Sequence, residues 1–180
     1  LPGLLTDEAC DELTQSLAQI QSLPMDEEGY QPNHYAAEFN IYLESLIGHP
    51  QLLALVRWVL GEEIRYDHCV ALNRPGGNEG THWQSHEYAE EDARLGFVRV
   101  FFYVNGFELD DGGLKVVRGS HLFRDAGIRA TSNEELEAGW MAGKAHPLTG
   151  EALAIEALSV PKGTVVLMWT HAAHGVNPRK

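Results

Sequence analysis

Two kinds of hydrophobic pattern divide the chain. In the first third, apolar positions recur every three or four residues, the spacing of a helix with one buried stripe. Thr6 can cap a helix whose first turn carries Asp7 and Glu8, and Ala9, Leu13, Leu17 and Ile20 form its stripe. A second helix is predicted over Tyr35 to Ile47. A third is predicted from Pro50, acceptable at a helix start, to Leu60, with Gly61 as its stop.

From Arg65 onward the pattern becomes short apolar or alternating runs punctuated by Gly and Pro, which predicts strands. Arg65 to Asn73 reads as extended and ends at the breaker Arg74-Pro75-Gly76-Gly77. Thr81 to Tyr88 is a short candidate strand, and Phe97 to Val104 (FVRVFFYV) is the clearest one. Leu114 to Arg118 follows a turn at Asp110-Asp111-Gly112-Gly113. Ser132 and Glu135 make a capping box for a short helix through Met141. Leu153 to Val160 and Thr164 to Thr170 complete the set, separated by a Pro161-Lys162-Gly163 turn. The expectation is a mainly β chain with flanking N-terminal helices. It forms one domain with a helical part over 1–62 and a barrel or sandwich over 63–180.

Composition adds constraints. At 180 residues, 44% hydrophobic and 22% charged, the chain matches one soluble globular domain. A net charge of −13 argues against nucleic acid as a partner, because neutralising phosphates takes clustered Lys and Arg. It argues equally against anionic membrane surfaces. Cys10 and Cys69 form no CxxC pair, and no signal peptide or apolar run of spanning length is present, so a reducing cytoplasm is expected. The chain begins at Leu1 and stops at Lys180 within a strand-like region, so both ends look trimmed.

Four of the nine histidines sit in two tight groups, His82 with His86 and His171 with His174. A non-haem iron site needs three protein ligands on one face of an octahedron, usually two histidines and a carboxylate. Two of them come from one strand at i and i+2, where side chains point the same way. His82, Gln84 and His86 have that alternation, with Trp83, Ser85 and Glu87 on the opposite side. The bland alternative is a pair of polar histidines on an exposed strand.

Two segments resemble the phytanoyl-CoA dioxygenase family. Gly163 to Pro178 (GTVVLMWTHAAHGVNP) is similar to the family's distal-histidine region, which implies His174 rather than His171 as a ligand. Asp110 to His121 (DDGGLKVVRGSH) is similar to its GSH signature. The resemblance implies a double-stranded β-helix (jelly-roll, cupin-like) fold, incomplete at the C-terminus. It also implies Fe(II), 2-oxoglutarate as co-substrate, and hydroxylation of a small organic substrate. The candidate metal set in this chain is His82, His86 and His174, with Gln84 and Glu87 as alternatives. The chain departs from the pattern in two ways. Gln84 stands two residues after His82 where the family has Asp or Glu, and Gln is a poor ligand for a hard cation. The family's arginine for 2-oxoglutarate, about ten residues past the distal histidine, has no counterpart, since Arg179 lies too close to His174. His82 and His86 would also be roughly 13 Å apart on a straight strand, so the chain would have to bend between them. Two alternatives stay open: a β-helix domain that binds a ligand without metal, and a three-histidine dioxygenase that does not use 2-oxoglutarate.

Overall fold

The computed structural model describes residues 1, 4–25, 27, 29, 31–86 and 96–180. The chain forms two compact units, one over Thr6–Asn73 and one combining Leu1–Leu5 with Arg74–Lys180.

In the first unit, helix α1 (Asp7–Ser22) starts where the Thr6 side chain accepts a hydrogen bond from the Ala9 amide at 3.2 Å, and it buries Cys10, Leu13 and Ile20. The second predicted helix is two pieces. A 3₁₀ segment (Pro32–Glu38) precedes α2 (Ile41–Ile47), because Tyr35 leaves helical geometry and Asn40 caps a fresh start through the Leu43 amide. Helix α3 (Pro50–Leu60) ends at Gly61, whose φ of 99° suits only glycine. The segment from Arg65 to Asn73 is not a strand. It is tied to the 3₁₀ region by two backbone bonds, Ala36 N to Cys69 O and Ala71 N to Asn33 O, too few to make a ladder. Both cysteines are free thiols. Among the described residues no helix is long and apolar enough to cross a membrane.

The second unit is mainly antiparallel sheet. Its strands are β1 (Thr81–Gln84), β2 (Val98–Tyr103), β3 (Leu114–Val117), β4 (Arg129–Ala130), β5 (Ile155–Ala157), β6 (Thr164–Trp169) and β7 (His174–Val176), with helix α4 (Asn133–Ala138) after β4. Five strands form one sheet in the order β4-β1-β7-β3-β5, and β2 pairs with β6 in a two-stranded ribbon. Each pairing joins strands that are distant in sequence.

Cross-strand partners share a face, so the register sorts the larger sheet. Trp83, opposite Ala130, packs with Val117, Ile128, Leu136, Met141 and Ala173 beneath α4. The Trp83 indole N–H donates to the Asn133 carbonyl oxygen at 2.9 Å, and the Lys115 ammonium lies 4.8 Å from its ring. Trp83 is 1% exposed, so Trp83→Ala should cost about 3–5 kcal/mol. The opposite face carries Leu114 and Val116 of β3, His174 and Val176 of β7, Gln84 of β1 and Arg129 of β4. The capping box of α4 forms with one change. Ser132 Oγ accepts from the Glu135 amide, while the Glu135 carboxylate takes the Thr131 amide and hydroxyl rather than the cap's own N–H.

Candidate metal centre

His174 opens β7 and is 4% exposed. It lies opposite Gln84 of β1 on one side and Val116 of β3 on the other, so both edges of its strand are occupied. The turn before it is held from the GSH segment. Ser120 Oγ accepts from the Ala173 amide at 2.8 Å, and Ala173 O accepts from Val117 N at 3.0 Å. Gly119 makes the turn possible at a φ of 79°, with His146 filling the space where a Cβ would sit 2.2 Å from its ring. The ring of His171, three residues before the ligand candidate, lies 5.4 Å from that of Trp169 and 6.5 Å from that of His121. The GSH motif is thus a brace for the His174 strand.

The other histidine arrives by a different route. The β1–β7 register slips between Thr81 and Gln84, so these residues, three apart, both face His174's side. The chain leaves the sheet after Gln84. Ser85, fully buried, donates to Asp125 O at 2.8 Å and accepts from Ile128 N at 3.1 Å. His86 N then donates to Thr170 O at 3.0 Å, at the end of β6. These bonds bring the His86 ring to 5.1 Å from that of His174.

The pair has the properties of two imidazole ligands. His174 Nδ1 lies 2.8 Å from the Ala172 carbonyl, which fixes the proton there and leaves Nε2 as the free lone pair. His86 Nε2 is buried and has no hydrogen-bond partner among the described residues. Burial, then the positive charge of Arg99, His174 and Arg129, lowers the His86 pKa to about 4. Burial also lowers that of His174, opposed by its bond to Ala172 O and assisted by Arg99 and Arg129. Both rings are therefore neutral near neutral pH, the form that binds a metal.

The two cations that act on the histidines come from different sheets. Arg129 lies opposite Gln84, and its guanidinium donates to the carbonyls of Ser85 and Ala126 at 2.7 and 3.3 Å. Arg99 stands in the apolar strand β2, and its charge reaches both rings.

Of the predicted ligands, the structure brings His86 and His174 together. His82 is exposed, with Nδ1 3.3 Å from the Thr131 carbonyl, on the far side of the slip in β1. The register shift between Thr81 and Gln84 interrupts the strict period of two expected of His82, Gln84 and His86. Gln84 does share a face with His174. Glu87 lies outside the described residues. Among the described residues, no three His, Cys, Asp or Glu side chains converge on a point able to hold a metal ion. Arg179 runs along Gly112. Sequence reasoning did not find Ser85, Ser120 or Arg129. Ser120 sits inside a recognised motif, but a buried serine and an exposed arginine carry no periodic signal of their own.

The profile of the family described as Phytanoyl-CoA dioxygenase (PhyH) matches residues 1–179. No curated protein matches the chain.

Proposed function

The chain belongs to the phytanoyl-CoA dioxygenase (PhyH) family, and on that premise we propose that it is an Fe(II)- and 2-oxoglutarate-dependent dioxygenase hydroxylating a small organic substrate. The family has a jelly-roll, cupin-like fold, and we take the antiparallel unit to be a double-stranded β-helix. One observation carries the functional reading: His86 presents a buried Nε2 with no partner beside a neutral His174 whose Nδ1 is already committed. A buried imidazole nitrogen without a partner is costly, and a metal ion would relieve that cost.

His86 and His174 would hold the iron, and Gln84 stands directly opposite His174 on the same face. Bound there, Fe(II) together with 2-oxoglutarate supplies the oxygen-activating chemistry. The chain's own contribution is orientation and charge. Ala172 O fixes the His174 tautomer, and the Ser85 bonds fix where the chain departs toward His86. Burial, assisted by Arg99 and Arg129, keeps both rings unprotonated, and the two guanidiniums make the site attractive to an anionic co-substrate.

Gln84 favours a second reading, a domain of this fold that binds a ligand without turnover, since a neutral amide occupies the place opposite His174. The three-histidine reading finds less support, because the His82 side chain is exposed whereas those of His86 and His174 lie ring against ring. The deciding assay is succinate formation from 2-oxoglutarate under oxygen with added Fe(II). Oxidative turnover, even uncoupled from a substrate, supports the dioxygenase. Its complete absence in iron-loaded protein supports the binding domain.

A further inference from the structure

Each of the two histidines follows a residue that is tied to one short stretch of chain. The Ala173 amide, one residue before His174, donates to Ser120 Oγ at 2.8 Å. Ser85 Oγ, one residue before His86, donates to the Asp125 carbonyl at 2.8 Å. Both serines are fully buried. Ser120 and Asp125 are the two ends of the sequence SHLFRD. Strand β7 is paired on both edges, so the sheet itself fixes the His174 end of this segment. The His86 end depends on where the segment delivers Asp125.

The segment is a 3₁₀ turn (Ser120–Phe123) followed by a sharp change of direction. Leu122 N donates to Gly119 O at 3.0 Å and Arg124 N to His121 O at 3.2 Å, which closes the turn. Arg124 then takes the left-handed conformation, with φ 52° and ψ 32°. Among the described residues it is the one non-glycine residue with positive φ. A Cβ disfavours that conformation, which persists only where the surroundings enforce it. Here the surroundings converge on Trp140. Its indole N–H donates to Asp125 Oδ2 at 2.9 Å, and its ring meets that of Phe123 edge-on at 5.4 Å, so it grips the residues on either side of Arg124. Asp125 Oδ1 accepts from the Gly127 amide at 2.8 Å, so both carboxylate oxygens are engaged and the residue's orientation is set. Trp140 is held in turn by Lys144, whose ammonium lies 4.9 Å from its ring and donates to its carbonyl. It also packs against the core cluster that contains Trp83 and Leu136.

We propose that the 120–125 segment is a spacer that sets the distance between the His86 and His174 rings, and that Trp140 is the positioning residue that holds the spacer in shape. An extended backbone at Arg124, or loss of the indole N–H, lets Asp125 O leave Ser85. His86 then moves away from a His174 that the sheet keeps in place. Trp140 acts through Phe123 and Asp125, not on the rings themselves. Two ligands on separate segments need such a tie, because a site binds well only when its supporting residues hold the ligands at the right separation. That the two rings are metal ligands rests on the oxygenase reading; the spacing itself does not.

The test reads the ring-to-ring distance directly, by NMR of the metal-free full chain with isotopically labelled histidines. The two rings, 5.1 Å apart between centroids, should give a proton–proton NOE cross-peak, assigned with His86→Gln and His174→Gln. Trp140→Phe keeps an aromatic ring against Phe123 but has no N–H. Arg124→Val resists the left-handed region, whereas Arg124→Gly adopts it freely, and both lack the guanidinium. Each variant is checked for folding by its thermal transition, and Arg124→Ala replaces Arg124→Val if that variant does not fold. The expected result is a cross-peak in the wild type and in Arg124→Gly, and its loss in folded Trp140→Phe and Arg124→Val. A role in stability alone would lower the transition and leave the cross-peak in place. Affinity for Mn(II), measured calorimetrically on the same proteins, should fall about tenfold wherever the cross-peak is lost. Its persistence in folded Trp140→Phe or Arg124→Val, equal loss in Arg124→Gly, absence from the wild type, or loss without a change in Mn(II) affinity would overturn the proposal. If the wild type shows the cross-peak but binds no Mn(II), the metal reading fails, and the cross-peaks of the variants alone decide the spacer.

Discussion

The strand carrying His174 is hydrogen-bonded on both edges, by β1 and β3, and braced from behind by Ser120. The segment carrying His86 parts from β7 after Gln84 and is held from the β4 side, by Ser85 N to Ile128 O, Ser85 Oγ with Asp125 O and Ile128 N, and Arg129 to Ser85 O, and by His86 N to Thr170 O. A ladder on both edges positions one histidine, whereas separate backbone bonds, an arginine and a buried hydroxyl position the other. The contrast predicts that the His174 side tolerates little sequence change, whereas the His86 side depends on a few residues that no periodicity reveals.

The largest effects come from removing the rings themselves. His174→Ala and His86→Ala should each abolish measurable binding of Mn(II), a redox-stable stand-in for Fe(II), in calorimetric titration, whereas His82→Ala should leave it intact. Equal loss in His82→Ala would join His82 to the site and erase the contrast drawn here.

Next in size are the two serines. Ser85→Ala strands Asp125 O and Ile128 N, and Ser120→Ala strands Ala173 N, all deprived of a partner in buried surroundings. Each should cost about 1–3 kcal/mol in urea unfolding. The comparison is sharpened by metal affinity. Ser85→Ala should weaken it more than Ser120→Ala, because the ladder still holds His174 when its brace is gone. The reverse order would show that the GSH brace, not the ladder, sets the distal ligand.

Much of this architecture was legible in the sequence. The apolar runs Phe97 to Val104 and Thr164 to Thr170 announced two strands though not their pairing, Thr6 and Ser132 announced two helix starts, and the Gly119-Ser120-His121 signature announced a feature of the same family pattern as His174. The failures share a cause. Arg65 to Asn73 has strand-like residues but makes too few backbone bonds for a ladder, and propensity does not report pairing. The helix predicted through Asn40 ignored that Asn is a better cap than an interior residue. The period of two expected of His82, Gln84 and His86 is interrupted by a register slip, which composition does not report. That Arg74 Nη1 is buried without a hydrogen-bond partner among the described residues is a property of three-dimensional burial and has no sequence signal at all.

A smaller effect concerns pH. His86 has its folded-state pKa lowered to about 4 from an ordinary 6.5, and His174, His171 and His121 are lowered too, in each case first by burial. Below 6.5 the unfolded chain therefore binds more protons than the folded one, so stability present above that pH is lost progressively as pH falls toward 4. In metal-free protein the urea midpoint should drop between pH 7.5 and pH 5, and His86→Gln should flatten that drop. A pH-independent midpoint over this window would mean that the rings are solvated.

The central claim is that His86 and His174, not His82, form the metal centre of an oxygenase. It is tested most directly by anaerobic addition of Fe(II) and then 2-oxoglutarate to the wild type and the three histidine variants, read as the visible charge-transfer band of the chelate. The account predicts the band in the wild type and in His82→Ala, and its absence in His86→Ala and His174→Ala. A band that survives loss of either His86 or His174, or that never forms in the wild type, would contradict it.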